Sequence, residues 1–420
     1  MNQLTLSMVG CGNRCTVYSK LAAGMKDKYL LVAAADPNPV RVNRIKELSG
    51  NPDFKAFSSD KELFECERLS DVVIIGTQDQ YHYEPCVRAL EKGYDVLLEK
   101  PIAPSVKEII ELRTLAEKLG RKLQVCYVLR YTPFYKKVKE LVDANILGEI
   151  VSINANEGVL PWHQAHSFVR GKWKKADTST PMIVAKCCHD TDIIAWLTGK
   201  QCRSVSSYGA LTYFIEKNAP EGAPERCTDG CPHADSCYYN ALRYTSDMRE
   251  PWLEVVYDNY KDATAEEIVE WLKSSDYGRC VFRCDNDVVD HQTVAMEFED
   301  DITANLTMTA FETGRYIEIF GTEGVLKGGY FTKKTTGKDI IVHRWDGQHK
   351  EYTVTEDTTE DHHMGGDSGI MEALHDEMTG KGNPVSSYIQ SHIMAYAAEE
   401  SRISDKKIEI QQFEIDMAGK

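Results

Sequence analysis

The tripeptide Glu99-Lys100-Pro101 places a lysine where it could carry protons. It follows a short apolar run, residues 95–98, that is typical of a buried strand. A lysine at the end of such a strand, downstream of a glycine-rich first strand, suits proton transfer coupled to hydride transfer. The alternative is a solvated charge that merely ends the strand. Pro101 restricts Lys100 to extended backbone and could follow a cis peptide bond.

A glycine pattern near the N-terminus could hold a dinucleotide. Gly10 and Gly12 lie between a predicted strand, residues 4–9, and a predicted helix. Gly10 permits a tight turn, and Gly12 lets the backbone approach a pyrophosphate at the helix N-terminus. Asn13 and Arg14 begin that helix and are expected to contact the cofactor as well.

A carboxylate after the second strand supports this interpretation. Asp36 ends the predicted strand 30–35, where it could accept hydrogen bonds from the adenosine ribose and repel a 2′-phosphate. The pattern therefore favours NAD over NADP. The alternative is a plain glycine turn followed by an Asp helix cap before Pro37, but the order of the two elements favours the nucleotide site.

These residues need a parallel sheet to bring them together. Strands and helices alternate through residues 1–128, which predicts an α/β domain with a doubly wound parallel sheet. Its predicted strands are 4–9, 30–35, 72–76, 95–98 and 123–127.

In residues 129–420 the predicted strands follow one another instead of alternating with helices. This predicts an α+β domain with an open, largely antiparallel sheet. One helix is predicted over 183–197 and another over 385–402. An insertion at about 217–276 is rich in Pro, Glu, Asp, Tyr and Cys.

The composition limits which classes of molecule the protein could bind and in which compartment it could reside. The net charge of −16 makes nucleic acid and anionic membrane surfaces unfavourable partners. No apolar run approaches the roughly 20 residues of a membrane-spanning helix, and the N-terminus resembles a strand more than a signal peptide. Thirteen cysteines indicate a reducing compartment, so we expect a cytoplasmic protein.

Three cysteines of the insertion could bind metal. Cys227, Cys231 and Cys237 lie within eleven residues, which is compatible with a structural zinc site. The alternatives are reduced, partly buried thiols or a disulfide under oxidising conditions.

The order of several motifs resembles the Gfo/Idh/MocA oxidoreductases, the family of glucose-fructose oxidoreductase and inositol dehydrogenase. The motifs extend over nearly the whole chain outside the insertion. They are Gly10-x-Gly12, Asp36, Gly76-Thr77-Gln78-Asp79-Gln80-Tyr81-His82, Glu99-Lys100-Pro101, Arg130-Tyr131-Thr132-Pro133, Leu147-Gly148-Glu149-Ile150, Cys188-His189-Asp190-Thr191-Asp192 and Phe320-Gly321-Thr322-Glu323-Gly324.

The resemblance implies a Rossmann domain and a second domain whose open sheet covers the nicotinamide and often mediates oligomerisation. We therefore expect a homo-oligomer, a dimer or a tetramer. It also implies that Thr77 and His82 lie along the cofactor and that Glu99 and Lys100 lie beside the nicotinamide. Where the family usually has Pro-Asn after the threonine, this chain has Gln78-Asp79.

The resemblance further implies a catalytic role for His189. The family typically has an aspartate four residues before this histidine, but here Ala185 occupies that position. Lys186, three residues before His189, could supply a donor or proton carrier in its place. The alternative for Lys186 is a surface lysine of the helix.

Polar residues at strand ends and in loops could contact a polyol. Tyr127 and Arg130 end the fifth strand, at the sheet edge where open α/β folds bind ligands. His291 lies in a polar stretch before a strand, and His363 lies in a loop, 361–367, similar to the family's His-Gly-Gly-Gly-Asp loop. Such loops supply the convergent hydrogen-bonding groups that a sugar needs.

The leading hypothesis is an NAD-dependent dehydrogenase that acts on a secondary alcohol of a sugar, polyol or glycoside. A second hypothesis is an NAD-dependent glycosidase that oxidises the sugar, eliminates the aglycone and reduces the sugar again. A third is a nucleotide-sensing protein without catalysis, although the presence of both Lys100 and His189 argues against it.

Overall fold

The computed structural model describes residues 3–250, 252–354, 363–380 and 388–419. The strands in these ranges are β1 (Leu4–Val9), β2 (Tyr29–Ala35), β3 (Lys55–Phe57), β4 (Val72–Ile75), β5 (Asp95–Leu98), β6 (Leu123–Val125), β7 (Ile150–Val159), β8 (Cys202–Ala210), β9 (His291–Phe298), β10 (Thr303–Thr309), β11 (Thr313–Gly321), β12 (Gly324–Gly329), β13 (Ile340–Arg344), β14 (His349–Tyr352) and β15 (Ile408–Glu409). The α-helices are α1 (Asn13–Gly24), α2 (Pro39–Ser49), α3 (Asp60–Glu65), α4 (Tyr83–Glu91), α5 (Val106–Leu119), α6 (Pro133–Asp143), α7 (Pro161–His163), α8 (Met182–Ala185), α9 (Cys188–Thr198), α10 (Ala265–Ser274), α11 (Tyr330–Thr336), α12 (Gly366–Met378), α13 (Tyr388–Ser404) and α14 (Ile410–Ala418).

The first sheet is parallel, with strand order β3-β2-β1-β4-β5-β6. Its central strand β4 consists of four buried β-branched residues, as expected for a strand covered on both faces. The strand order reverses between β1 and β4, and open α/β sheets bind ligands at such a point. The predicted doubly wound sheet is confirmed.

The second sheet has nine strands in the order β14-β13-β12-β11-β7-β10-β9-β8-β15. Its pairs are antiparallel except β7 with β10, which are parallel, so the predicted, largely antiparallel sheet is confirmed. Residues alternate between buried and exposed along β9 and β10. The buried face packs on α9 and α13, and the other face stays open.

The helix predicted over 183–197 is broken in two. Between α8 and α9, Lys186 stays in the right-handed helical region (φ −107°, ψ −52°), but Cys187 leaves it (φ −93°, ψ 5°). The carbonyl of Ala185 therefore lies at a helix end, where a carbonyl needs a partner from outside the helix. For the helix predicted over 385–402, residues 381–387 lie outside the described ranges and α13 extends to Ser404.

The insertion folds into short 3₁₀ turns and α10 around two small apolar clusters. One cluster surrounds Trp162, and the other surrounds Phe214. Both pack against a π-helical segment, Gln164–Arg170, that follows α7. The insertion also reaches the first domain, where Asp258 lies 3.4 Å from the Arg41 guanidinium.

None of the helices in the described ranges is long and apolar enough to cross a membrane.

Candidate active site

The loop after β1 leaves the N-terminus of α1 open. Gly12 is the N-cap, and the first turn has neither a capping side chain nor an acidic residue. A Cβ at Gly12 would meet nothing within 4 Å, whereas a Cβ at Gly10 (φ +82°) would lie 2.7 Å from the Thr77 nitrogen. Free N–H groups and open space at a helix N-terminus fit a pyrophosphate.

Asp36 lies directly beside this loop. Its carboxylate accepts hydrogen bonds from the backbone nitrogens of Cys11, at 2.7 Å, and Asn38, at 2.8 Å. Both bonds fix the carboxylate at the end of β2, next to the glycine turn. The position is compatible with the predicted ribose contact, which stays a prediction.

Arg14 and Glu99 hold each other at the edge of the sheet. The Arg14 Nε donates to Glu99 at 2.7 Å, and its Nη2 donates to Asp367 at 2.5 Å. Burial alone would raise the pKa of Glu99, but the charges of Arg14 and Lys100 lower it below its ordinary value. Glu99 is therefore an anchored carboxylate, and Arg14 links it to α12.

Lys100 projects from the end of β5 towards the second domain. Its Nζ donates to the carbonyl of Ala185 at 3.1 Å, and its peptide bond with Pro101 is cis. The imidazole of His82 contacts the carbonyl of Pro101 at 2.6 Å and that of Thr77 at 3.3 Å. His82 therefore joins the two strand ends that are expected to flank the cofactor.

His189 faces the same cleft from α9. Burial, followed by the charges of Lys100 and Arg315, lowers its pKa well below the ordinary value. Its Nδ1 is buried without a hydrogen-bond partner among the described residues. The imidazole is thus neutral at neutral pH, and its Nδ1 is available for a hydrogen bond. Its ring lies 6.3 Å from that of His363.

Ala185 occupies the position of the family's aspartate, but a carboxylate from another element lies next to its neighbour Lys186. Lys186 lies 3.2 Å from Glu157 of β7, and Arg315 of β11 bridges Glu157 at 3.0 Å and Asp190 at 2.8 Å. Burial raises the pKa of Asp190 to about 6, with Glu157 adding to the rise and Arg315 opposing it. Sequence analysis missed Glu157 and Arg315, because nothing in a strand pattern tells which charged residue turns inward.

Sequence analysis also missed two aromatic residues of the second domain, Trp173 and His163. The indole of Trp173 donates to Asp79 at 2.7 Å, which joins the second domain to the end of β4. Desolvation, followed by the charge of Lys186, lowers the pKa of His163 well below its ordinary value. Leu160, three residues before His163, has φ +79°, and unusual backbone of this kind concentrates at functional sites.

Tyr127 and Arg130 lie inside a buried network. Arg130 donates to both oxygens of Asp192 at 2.6 Å, and Ser391 donates to the Tyr127 hydroxyl at 2.8 Å. The Tyr127 hydroxyl also contacts His392 of α13. These side chains join α9 to α13, and their predicted substrate contact stays a prediction.

The two predicted substrate histidines lie in different places. His363 contacts Asp367 at 3.0 Å and Arg14 at 3.4 Å, so it belongs to the cluster around Glu99. His291 contacts Asp290 at 2.8 Å at the start of β9. Residues 361 and 362 of the predicted loop lie outside the described ranges.

The zinc prediction finds no support. The thirteen cysteines are free thiols, and no group of three or more His, Cys, Asp or Glu side chains in the described ranges could hold a metal ion. Cys227 lies 3.7 Å from the Arg170 guanidinium. The alternative of reduced, partly buried thiols matches this arrangement.

Comparison with protein families gives two matches along the chain. Residues 4–127 match the NAD-binding Rossmann fold of the Gfo/Idh/MocA oxidoreductases. Residues 139–397 match the C-terminal alpha/beta domain of the same oxidoreductases.

Individual relatives are distant. YteT of Bacillus subtilis (strain 168) is 24% identical over 341 residues, which cover 77% of each chain. An inositol 2-dehydrogenase of Corynebacterium glutamicum (strain ATCC 13032) is 27% identical over 155 residues, which are 37% of this chain and 42% of the relative, less than half of its length. The fold is shared with an oxidoreductase from Agrobacterium radiobacter, solved with NAD⁺, L-tartaric acid and magnesium (TM-score 0.70, 14% identity, 98% and 99% of the chains covered).

Proposed function

The chain belongs to the Gfo/Idh/MocA oxidoreductase family, and we propose that it transfers a hydride between NAD and a secondary alcohol of a sugar, polyol or glycoside. The observation that supports this proposal is the approach of Lys100, at the end of β5, to the second domain. Its Nζ donates to the Ala185 carbonyl at 3.1 Å, and its charge helps to lower the pKa of His189 on α9.

NAD, when bound, supplies the hydride acceptor or donor. Gly10, Gly12 and Asp36 would hold its pyrophosphate and adenosine ribose. Glu99, fixed by Arg14, would lie beside the nicotinamide and keep Lys100 at the strand end. The names of several relatives, among them inositol 2-dehydrogenase, favour a polyhydroxylated substrate.

The protein's own task is to move the proton of the substrate hydroxyl. Lys100 and His189 are the groups proposed to handle this proton: the neutral imidazole of His189 can hydrogen-bond to the substrate oxygen, and Lys100 can donate a hydrogen bond to the same oxygen. Lys186, paired with Glu157, adds a fixed donor one residue after Ala185, which occupies the position of the family's aspartate.

The test is a panel of sugars, polyols and glycosides incubated with the protein and NAD. We expect NADH to accumulate in proportion to the oxidised product for at least one compound. If the protein binds NAD but no compound is turned over, the nucleotide-sensing hypothesis replaces this one.

The NAD-dependent glycosidase remains the second candidate, since the cleft holds more acid/base groups than a simple oxidation needs. His163 and the Lys186–Glu157 pair are the extra groups. A glycosidase would release the aglycone without net NADH, and product analysis beside NADH absorbance separates the two reactions.

A further inference from the structure

A row of aromatic rings lines the second-domain wall of the cleft. The ring of Trp173 stacks on Phe168 at 5.8 Å with 28° between the planes, and Phe168 lies 5.9 Å from His163. His163 in turn lies 5.2 Å from Trp252. The row therefore has four rings at steps that are each comparable with the width of one sugar ring.

The row begins at the cofactor side of the cleft. Trp173 bonds to Asp79 at the end of β4, and the ammonium of Lys172 lies 4.4 Å from its ring centre. His163, in the middle of the row, lies close enough to Lys186 and Lys100 for their charges to lower its pKa, after desolvation. The row thus runs from Asp79, in the turn that follows β4 at the side where the cofactor is expected, to the insertion.

The far end of the row comes from the insertion. Trp252 packs its indole against His163 and, at 5.2 Å, against His166. It is only partly buried, as are His163 and Trp173, whereas Phe168 behind them is 3% exposed. A row formed only for core packing would be buried throughout, and this one keeps three of its rings partly open.

Aromatic faces beside a few fixed polar groups suit a carbohydrate. The C–H face of a sugar ring packs on an aromatic ring, while its hydroxyls bond to nearby donors and acceptors. One ring placed at Lys100 and His189 would leave the next ring of a chain facing His163 and Trp252.

We propose that Trp252 forms a second subsite and that the substrate is a glycoside with at least two rings. The ring to be oxidised lies at Lys100 and His189, and the neighbouring sugar or aromatic aglycone stacks on Trp252. This inference rests on the proposed function and specifies its substrate class. It gives the insertion a role in binding that the cysteine pattern did not indicate.

The experiment compares matched one-ring and two-ring substrates. For each sugar of the panel, kcat/KM for NADH formation, or for aglycone release, is measured with the methyl glycoside and with the phenyl glycoside or a disaccharide. We expect the two-ring compound to be favoured about tenfold, in line with the energy of aromatic contacts. Trp252→Ala should bring that ratio close to one.

Two further variants control for misfolding of Trp252→Ala and for the loss of an indole in general. Trp252→Leu keeps apolar bulk in the insertion but removes the flat face, so it should also lower the ratio if Trp252→Ala fails to fold. Trp345→Ala removes an exposed indole elsewhere, 64% exposed, and should leave the ratio unchanged. A ratio near one in the wild type, or an unchanged ratio in both Trp252 variants, overturns the proposal.

A separate readout distinguishes this proposal from the proposed function. Calorimetry with NAD-loaded protein measures binding of the phenyl and methyl glycosides without turnover. Tighter binding of the phenyl glycoside, lost in Trp252→Leu, supports the subsite even if no hydride is transferred. Equal kcat/KM for both classes, with normal NADH formation, overturns the subsite and leaves the dehydrogenase intact.

Discussion

Lys100 and its neighbours show how single side chains define this cleft. The ammonium of Lys100 donates to Ala185, the residue that replaces the family's aspartate, and Lys186 beside it pairs with Glu157. A carboxylate missing from one helix is thus present on the neighbouring strand.

Replacing Lys100 by alanine tests the main assignment. We expect Lys100→Ala to bind NAD nearly as tightly as the wild type, because the glycine loop and Asp36 are untouched, and to lose about 10²-fold or more in kcat. NAD titration and NADH formation measure the two quantities. Turnover at the wild-type rate would remove Lys100 from the mechanism.

Replacing Glu157 by glutamine tests the Lys186 pair. Because burial and then Glu157 raise the pKa of Asp190, a neutral amide should lower that pKa and move the acidic limb of the pH–rate profile to lower pH. We expect kcat/KM to fall by roughly tenfold, since Lys186 loses its fixed partner. Glu318→Gln, which affects a surface pair with Lys327, is the control. An unchanged profile would make Glu157 purely structural.

At the scale of elements, the turn between β1 and α1 and the junction between α9 and α13 matter most. In the turn between β1 and α1, the backbone conformation requires glycine at Gly10, whereas a Cβ added at Gly12 would meet no other atom within 4 Å. The second buries a polar network that includes His392.

The two glycines should respond differently to alanine. Gly10→Ala needs φ +82° and meets the Thr77 backbone, so we expect it to lower the free energy of unfolding by about 1–3 kcal/mol. Gly12→Ala should leave the free energy of unfolding near wild type but raise the Kd for NAD by roughly tenfold or more, because its methyl group occupies the pyrophosphate approach. Denaturant unfolding and NAD titration separate these effects. Equal NAD affinity in Gly12→Ala would place the cofactor elsewhere.

The buried histidine should make stability depend on pH. Burial lowers the pKa of His392 to about 3, whereas an unfolded histidine has a pKa of about 6.5. Below about pH 6.5 the unfolded chain gains a proton that the folded protein refuses, so stability falls by up to about 1.4 kcal/mol per pH unit for this group until about pH 3.

Urea unfolding at pH 7, 6 and 5 measures this slope. His392→Gln should reduce it by one group's contribution, while His343→Gln, at an exposed position on β13, should leave it as in the wild type. If both variants keep the wild-type slope of unfolding free energy against pH, His392 does not cause the pH dependence.

At the scale of the whole molecule, the open face of the second sheet is the predicted oligomer interface. Thr293 and Thr307 are exposed there, and Tyr208, opposite Thr293 on β8, is 69% exposed. We expect light scattering to give a dimer or tetramer of the 47.4 kDa chain and Tyr208→Arg to weaken it. The control is Ile415→Arg on α14, a residue that is 59% exposed. A monomeric wild type would contradict the prediction.

Much of the fold could be predicted because its signals are local. Alternating strands and helices, the glycines after β1 and the strand that ends at Lys100 each depend on a few neighbouring residues. The short strand β3 is absent from the predicted strands of the first domain, and the break between α8 and α9 was not foreseen, because tertiary contacts decide them.

The sequence by itself determined the two sheets and the strand ends that carry Gly10, Asp36 and Lys100, since strand period and turn chemistry are properties of short segments. Only the tertiary structure decided which side chains meet. Lys100 contacts Ala185 across 85 residues, and Glu157 joins Lys186 and Arg315 from a third element. Such contacts depend on how the two sheets pack, and residue spacing within one segment does not encode that packing.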